Sequence, residues 1–273
     1  MTQPKKLPHG DYDIELETKR EDEIGEVTQN FNKMIKELQS TENLQTEFIN
    51  NVSHEIKTPI TSIEGFAKLL KEKDLSDEER EDYSNIIIEE SERLTNLAGK
   101  MLKLSKLHNQ DRITNKQEIL VAEQIRRAVS LLEPKWGEKD IKINVNLEEC
   151  CFLGDEELLF QVWVNLLDNA IKFSNKNGKI DVKVASKNGY INVAVKDYGA
   201  GMQEAELDKI FERFYQIDRS HSEEGCGLGL AIVKRIIELS EGKIDVESEE
   251  GKGTTVTVKL PQVKEKNNKI IIS

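Results

Sequence analysis

Between residues 24 and 104, apolar side chains recur every three or four positions in two long runs, a spacing that only helices packed along their length can bury. In the first run Ile24, Val27, Phe31, Met34 and Leu38 step by three and four. The seam weakens at Thr41 and Gln45 and resumes at Phe48 and Val52, so one helix is expected from about Glu23 to Lys71. Ile49, Val52, Ile56, Ile63 and Leu70 form the expected buried stripe of its later half. After a turn at Lys73-Asp74-Leu75, Ser76 and Glu79 have capping-box spacing. Tyr83, Ile87, Leu94, Leu97, Met101 and Leu104 then line a second helix, interrupted only by Glu90. One antiparallel hairpin cannot bury both stripes, and pairing two copies into a dimeric four-helix bundle would.

The chain of 273 residues has room for roughly two domains. A net charge of -12 with no basic stripe argues against nucleic acid as a direct partner. Three cysteines, Cys150, Cys151 and Cys226, suggest neither a disulfide framework nor a metal site. No apolar run reaches 18 residues and no signal peptide opens the chain, so these residues are not expected to enter a membrane by themselves.

Pro4, Pro8 and Gly10 mark residues 1–20 as an irregular connector, and the polar stretch from His108 to Lys116 reads as a linker. Beyond it the pattern changes to mixed α/β. Gln124 to Leu132 is expected to be helical, stopping before Pro134, and Ile141 to Val145 alternates as a strand. Asp155 can cap a helix to about Phe173, with Leu159, Val162, Val164, Leu166 and Leu167 on its apolar side. Strands at 180–184 and 190–195 flank Asn188-Gly189, a helix spans Leu228 to Leu239, and strands at 243–248 and 254–260 flank Gly251-Lys252-Gly253. The expectation is an α+β chain: a long helical hairpin, then a two-layer α/β sandwich whose mainly antiparallel sheet carries helices on one face.

Five segments carry candidate chemistry. His54 lies two residues from both Val52 and Ile56, about 200° round the helix from each, so its imidazole faces solvent beside the Glu55 carboxylate. Thr58 follows one turn later on the same face, and Pro59 removes a backbone donor below it. An ordinary surface histidine would sit the same way. Asn165 and Asn169 share a helix face with Lys172 one turn beyond, a set that suits Mg2+ carrying phosphates, although two asparagines solvating an amphipathic helix fit the spacing too. Asp197-Tyr198-Gly199-Ala200-Gly201 follows a strand, where the acid can accept from a purine amino group and the glycines permit close approach; such turns are also common without a ligand. Ile210 to Tyr215 offers exposed-looking aromatics around Arg213. Gly225-Cys226-Gly227-Leu228-Gly229 opens a helix whose free N–H groups suit phosphate. The polar stretch from Gln216 to Glu224 between them is suited to be a lid.

In this order the segments resemble the H, N, G1, F and G2 boxes of sensor histidine kinases of two-component systems, from about Thr46 to Leu260. The resemblance implies a dimerisation and phosphotransfer hairpin at 45–110 and an ATP-binding catalytic domain of the gyrase and chaperone type at 117–261, with a tail at 262–273. Residues 1–44 resemble the second half of a HAMP linker, a module that usually follows a membrane span, which implies the cytoplasmic part of a membrane sensor at the inner face of the cell membrane. It further implies that His54 accepts phosphate from ATP, that Glu55 polarises its ring, and that Thr58 orients water for dephosphorylating a response regulator. Asn169 matches the Mg2+ ligand, and Asn165 and Lys172 match residues contacting metal or phosphates. Asp197 matches the adenine reader, with Gly199 and Gly201 shaping the pocket. Gly225, Gly227 and Gly229 match the lid hinge and phosphate cradle, while Phe173, Phe214 and Leu228 complete the implied ATP contacts. Some relatives carry an arginine where this chain has Gln216, so Arg213 is the substitute candidate for the γ-phosphate. The implied partners are a second copy of the chain and a response regulator receiver domain. A chaperone-type or mismatch-repair-type ATPase would share the nucleotide boxes without needing His54 to Pro59, and a coiled-coil scaffold would need neither.

Overall fold

The computed structural model describes residues 16, 22–217 and 226–262, apart from the side chains of 37–45. The chain divides into two compact units, Met1–Glu92 and Arg93–Ser273.

The first unit is dominated by helix α1, Glu23–Leu69. Asp22 caps its N-terminus, its side chain accepting from the Gly25 N–H at 3.2 Å, and Glu23 and Glu26 complement the positive end of the helix dipole. Pro59 lies inside the helix, which is assigned without a break around it. Helix α2, Asp77–His108, opens with the expected capping box: Ser76 N–H donates to Glu79 at 2.9 Å, and Glu79 N–H to the Ser76 hydroxyl at 3.2 Å. Beside the turn the Phe66 and Tyr83 rings meet at 5.4 Å between centroids.

The buried stripe is corrected. Ile49 is 55% exposed, Val52, Ile56, Ile63 and Leu70 are only half-buried, and Ile24, Val27 and Met34 lie open further up. Two cylinders touch along one line, so a single hairpin leaves most of its apolar face uncovered.

In the second unit the end of α2 behaves as core: Leu97, Leu104 and Leu107 are 5%, 4% and 2% exposed. Arg235 donates to Leu107 O in the last turn of this helix at 3.1 Å and to Gln110 O just beyond it at 2.6 Å. Strand β1 (Gln117–Leu120) leads into α3 (Val121–Leu131), and a short α4 follows at Glu133–Glu138. Pro134 therefore starts a helix as well as ending one, because a missing N–H costs nothing in a first turn. Strand β2 spans Lys142–Leu147, and β3 (Cys151–Gly154) pairs antiparallel with β1. Sequence pattern marks neither β1 nor β3, since four residues are too few for a readable alternation.

Asp155 caps α5 (Glu156–Phe173) through a 3.0 Å bond from Leu158 N–H. Strands β4 (Lys179–Lys187) and β5 (Tyr190–Asp197) form a hairpin whose Asn188 and Gly189 both have positive φ, the primed turn that matches strand twist. Helix α6 (Gly229–Leu239) precedes β6 (Lys243–Glu249) and β7 (Gly253–Pro261). The main sheet runs β2-β4-β5-β7-β6, with β2 and β4 parallel and the other pairs antiparallel. Ile180, Val182 and Val184 of β4 and Ile191, Val193 and Val195 of β5 form the buried side of this sheet, and α5 packs between α3 and α6.

Trp163, rather than Val164, is the large buried residue of α5, at 1% exposure. Its indole N–H donates to Gln124 Oε1 at 3.0 Å, and Gln124 in turn donates to Glu156 O at 3.0 Å, so a polar tip is tolerated in the core because each group is paired.

Candidate functional site

On the first unit, His54 projects into solvent from α1 with half-buried Glu55 beside it. Thr58 is exposed one turn further, its hydroxyl donating to His54 O at 3.2 Å. Pro59 cannot supply the N–H that the Glu55 carbonyl would receive in an unbroken ladder.

On the second unit the strand period carries the argument. Ile191, Val193 and Val195 point inward, and Asp197 takes the next inward position at the strand end, leaving it 7% exposed. Its Oδ1 accepts from Gly199 N–H at 3.0 Å and Thr254 N–H at 3.1 Å. Burial pushes the Asp197 carboxyl above the ordinary carboxylate range, and these backbone donors work against that shift.

Thr254 escaped sequence reasoning. The register Lys196↔Thr255 brings it opposite Asp197, and only strand pairing reveals that. Its hydroxyl lies 2.9 Å from that of Ser248, which accepts from Met202 N–H at 2.9 Å, so the loop after Gly201 is also tied down.

Close backbone approach explains the glycines. A Cβ on Gly199 would collide with the Phe173 carbonyl, which joins the end of α5 to the turn after β5. At Gly227, with φ +63°, a Cβ would stand 2.6 Å from the Phe214 carbonyl carbon. A Cβ at Gly229 would meet Asn165 Oδ1 at 3.2 Å, so the first residue of α6 lies against the asparagine face of α5. Asn165 donates to Gln161 O at 2.9 Å, and Asn165 and Asn169 are both half-buried. The Lys172 ammonium sits 5.1 Å from the Phe173 ring centroid, and that ring is exposed.

Three expected site residues fall differently. Phe214 is not exposed but 5% accessible, and its N–H donates to Gly227 O at 3.0 Å. It holds φ +64°, a costly conformation for a phenylalanine that persists where surrounding packing enforces it. Leu228 is fully buried, so its side chain belongs to the core and not to a ligand-facing surface. Arg213 meets the end of α2, with Nη2 3.3 Å from His108 Nδ1, beside a cavity of about 300 Å³ whose lining includes Leu104, Phe211, Lys234 and Arg235. Gly225 and most of the Gln216–Glu224 stretch lie outside the described residues.

Among the described residues, no cluster of three or more His, Cys, Asp or Glu could hold a metal unaided. The carboxamides of α5 fit a hard ion that completes its shell with substrate oxygens and water. No described helix is long and apolar enough to cross a membrane.

Comparison with known proteins adds three matched segments. Residues 154–264 match the histidine kinase-, DNA gyrase B- and HSP90-like ATPase model, residues 44–110 the His Kinase A phospho-acceptor domain, and residues 5–40 the HAMP domain. The heme sensor protein HssS of Staphylococcus saprophyticus is 36% identical over 259 residues, covering 95% of this chain and 56% of that protein. The sensor histidine kinase YclK of Bacillus subtilis is 32% identical over 269 residues, covering 94% and 56%. The chain thus spans about half the length of these relatives. A crystal structure of histidine kinase ThkA in complex with response regulator protein TrrA matches with a TM-score of 0.68 at 29% identity, over 86% of this chain and 67% of that one.

Proposed function

The chain belongs to the sensor histidine kinases of two-component systems, and from that premise we propose that it phosphorylates His54 with ATP and passes the phosphoryl group to an aspartate of a response regulator. The observation that carries the reading is Asp197, an acid held inward at a strand end by two backbone donors, above a glycine turn packed on α5. A buried carboxylate so oriented accepts a hydrogen bond from the amino group of adenine. Gly227 and Gly229 lead into the N-terminus of α6, where free N–H groups suit the phosphates.

Asn169 is the proposed Mg2+ ligand, with Asn165 and Lys172 beside it on α5. Bound there, Mg2+ would neutralise charge on the triphosphate; the protein's share is placement and electrostatics. A His54 ring nitrogen attacks the γ-phosphorus, the N–P bond forms as the bond to the β-phosphate oxygen breaks, and ADP leaves. Glu55 takes the proton from the other ring nitrogen, which keeps the attacking lone pair available. In the second transfer the N–P bond breaks as a receiver aspartate oxygen bonds to phosphorus. The match to a kinase with its bound regulator supports that partner. Thr58 holds a water against the regulator's phosphoaspartate in this reading, which its exposure one turn beyond His54 supports.

Residues 45–110 are proposed as the phosphotransfer unit, 117–261 as the ATP-binding domain and 1–44 as a HAMP-derived linker, in a protein whose sensor lies at the cell membrane. The open apolar face of α1 and α2 supports homodimerisation through this hairpin. Incubation of the full chain with γ-labelled ATP, followed by addition of receiver domains, tests the proposal. Acid-labile label should appear on the chain and move to one receiver, and ATP hydrolysis without protein labelling would point to a plain ATPase instead.

A further inference from the structure

Asp197 has a neighbour whose anchoring the proposed chemistry leaves unused. Tyr198 follows it at the end of β5 and, by the strand period, turns to the opposite face of the sheet, where it is 41% exposed. Its hydroxyl donates to Asp181 Oδ2 at 2.7 Å. The same oxygen pairs with Lys179 Nζ at 2.8 Å, and Asp181 Oδ1 accepts from Asn144 Nδ2 at 2.9 Å. Two ammonium groups flank the tyrosine ring, Lys196 at 4.7 Å and Lys179 at 5.1 Å from its centroid. Three strands contribute: Asn144 pairs with Asp181 across β2 and β4, and Asp181 with Lys196 across β4 and β5.

Burial works against the Asp181 charge, but hydrogen bonds from Lys179, Asn144 and Tyr198 outweigh it and hold its pKa down to about 2. The acceptor therefore remains ionised at any physiological pH. At the far end of the same strand Tyr190 is just as exposed, at 42%, and serves as the comparison position.

The peptide between Asp197 and Tyr198 is planar, so only ψ of the first and φ of the second separate the anchored tyrosine from the Cα that carries the inward carboxyl. We propose that Tyr198 is a positioning residue for nucleotide recognition: anchored outside the sheet, it fixes the angle at which Asp197 faces inward, and with it the discrimination of adenine from guanine. The inference rests on Asp197 reading the purine. Adenine presents an amino donor at position 6 and guanine an oxygen acceptor, so a carboxylate in one orientation accepts from the first and repels the second. The Gly199 and Thr254 N–H groups hold Oδ1 in any case, so a shift of the Asp197 backbone tilts the carboxylate and loses the distinction before it loses all binding.

The test measures autophosphorylation of the full chain against ATP and GTP concentration in wild type, Tyr198→Ala, Tyr198→Phe, Asp197→Asn and Tyr190→Ala. Tyr198→Ala should raise KM for ATP by about tenfold, roughly the worth of one hydrogen bond, with kcat within about twofold. The ATP-to-GTP ratio of kcat/KM should fall in step. Tyr198→Phe keeps the ring between the lysines and should fall between the two, while Tyr190→Ala should match wild type. A ratio that collapses in Asp197→Asn yet stands unchanged in both Tyr198 variants overturns the inference and leaves the adenine reading intact. A ratio unchanged in Asp197→Asn removes the premise and the inference together. A fall in kcat with KM unchanged in Tyr198→Phe likewise overturns it, since that marks general damage and not misplaced recognition.

Discussion

Replacing Asp197 by asparagine separates recognition from stability, and the structure predicts opposite signs for the two. An asparagine can keep the Gly199 and Thr254 N–H bonds, both of which fall on Oδ1. Its other atom becomes an NH2 group, a donor where the proposed adenine amino group also donates. A charge-assisted hydrogen bond is worth about 1.5–3 kcal/mol, so ATP affinity should fall about 10- to 150-fold. Stability runs the other way. Because burial raises the Asp197 pKa, the fold favours the neutral acid. That contribution is complete below the ordinary carboxylate pKa and is lost as pH rises through the raised value. The asparagine variant does not titrate at this position, so its stability relative to wild type should improve as pH rises from about 4 towards neutrality. Fluorescent-nucleotide titration measures the first effect, and amide hydrogen exchange of β4, β5 and β7 across pH measures the second. Unchanged ATP affinity refutes the recognition argument. A loss of protection in Asp197→Asn relative to wild type that deepens towards neutral pH refutes the electrostatic one.

The remaining expectations use other parts of the molecule. His54→Gln, at an exposed helical position, should stay within about 0.5 kcal/mol of wild-type stability and lose all acid-labile label from ATP, as read by gel autoradiography. Thr58→Ala removes an exposed methyl and a hydroxyl bonded to its own helix, so autophosphorylation should stay within about tenfold, or about 1.4 kcal/mol of barrier, while regulator dephosphorylation, followed by loss of labelled phosphoaspartate, slows more than that. Gly227→Ala places a Cβ 2.6 Å from the Phe214 backbone at φ +63°; with about 1–2 kcal/mol of left-handed strain alone, calorimetric nucleotide affinity should drop at least tenfold. Trp163→Phe leaves the Gln124 carbonyl without its indole donor, and denaturant unfolding of the second unit should show a loss of about 1–3 kcal/mol.

The sequence by itself determined whatever depends on spacing over a turn or two. The Ser76–Glu79 box, the Asp155 cap, the Asn188-Gly189 hairpin and the exposure of His54 are local, because helix and strand periods set which neighbours can meet. The ordered boxes also sufficed to place the chain in its family. Tertiary structure decided what needs partners distant in sequence. Thr254 reaches Asp197 across 57 residues, Trp163 finds Gln124 across 39, and Tyr198 finds Asp181 through strand register. No local pattern encodes those meetings. Packing likewise turned Phe214 inward at positive φ and drew Arg213 towards the end of α2, where composition offered only an aromatic run around a cation. The apolar stripe of α1 marks the boundary between the two kinds of information. Its period was legible, yet burial belongs to whatever covers it, and a lone hairpin lacks the surface to do so.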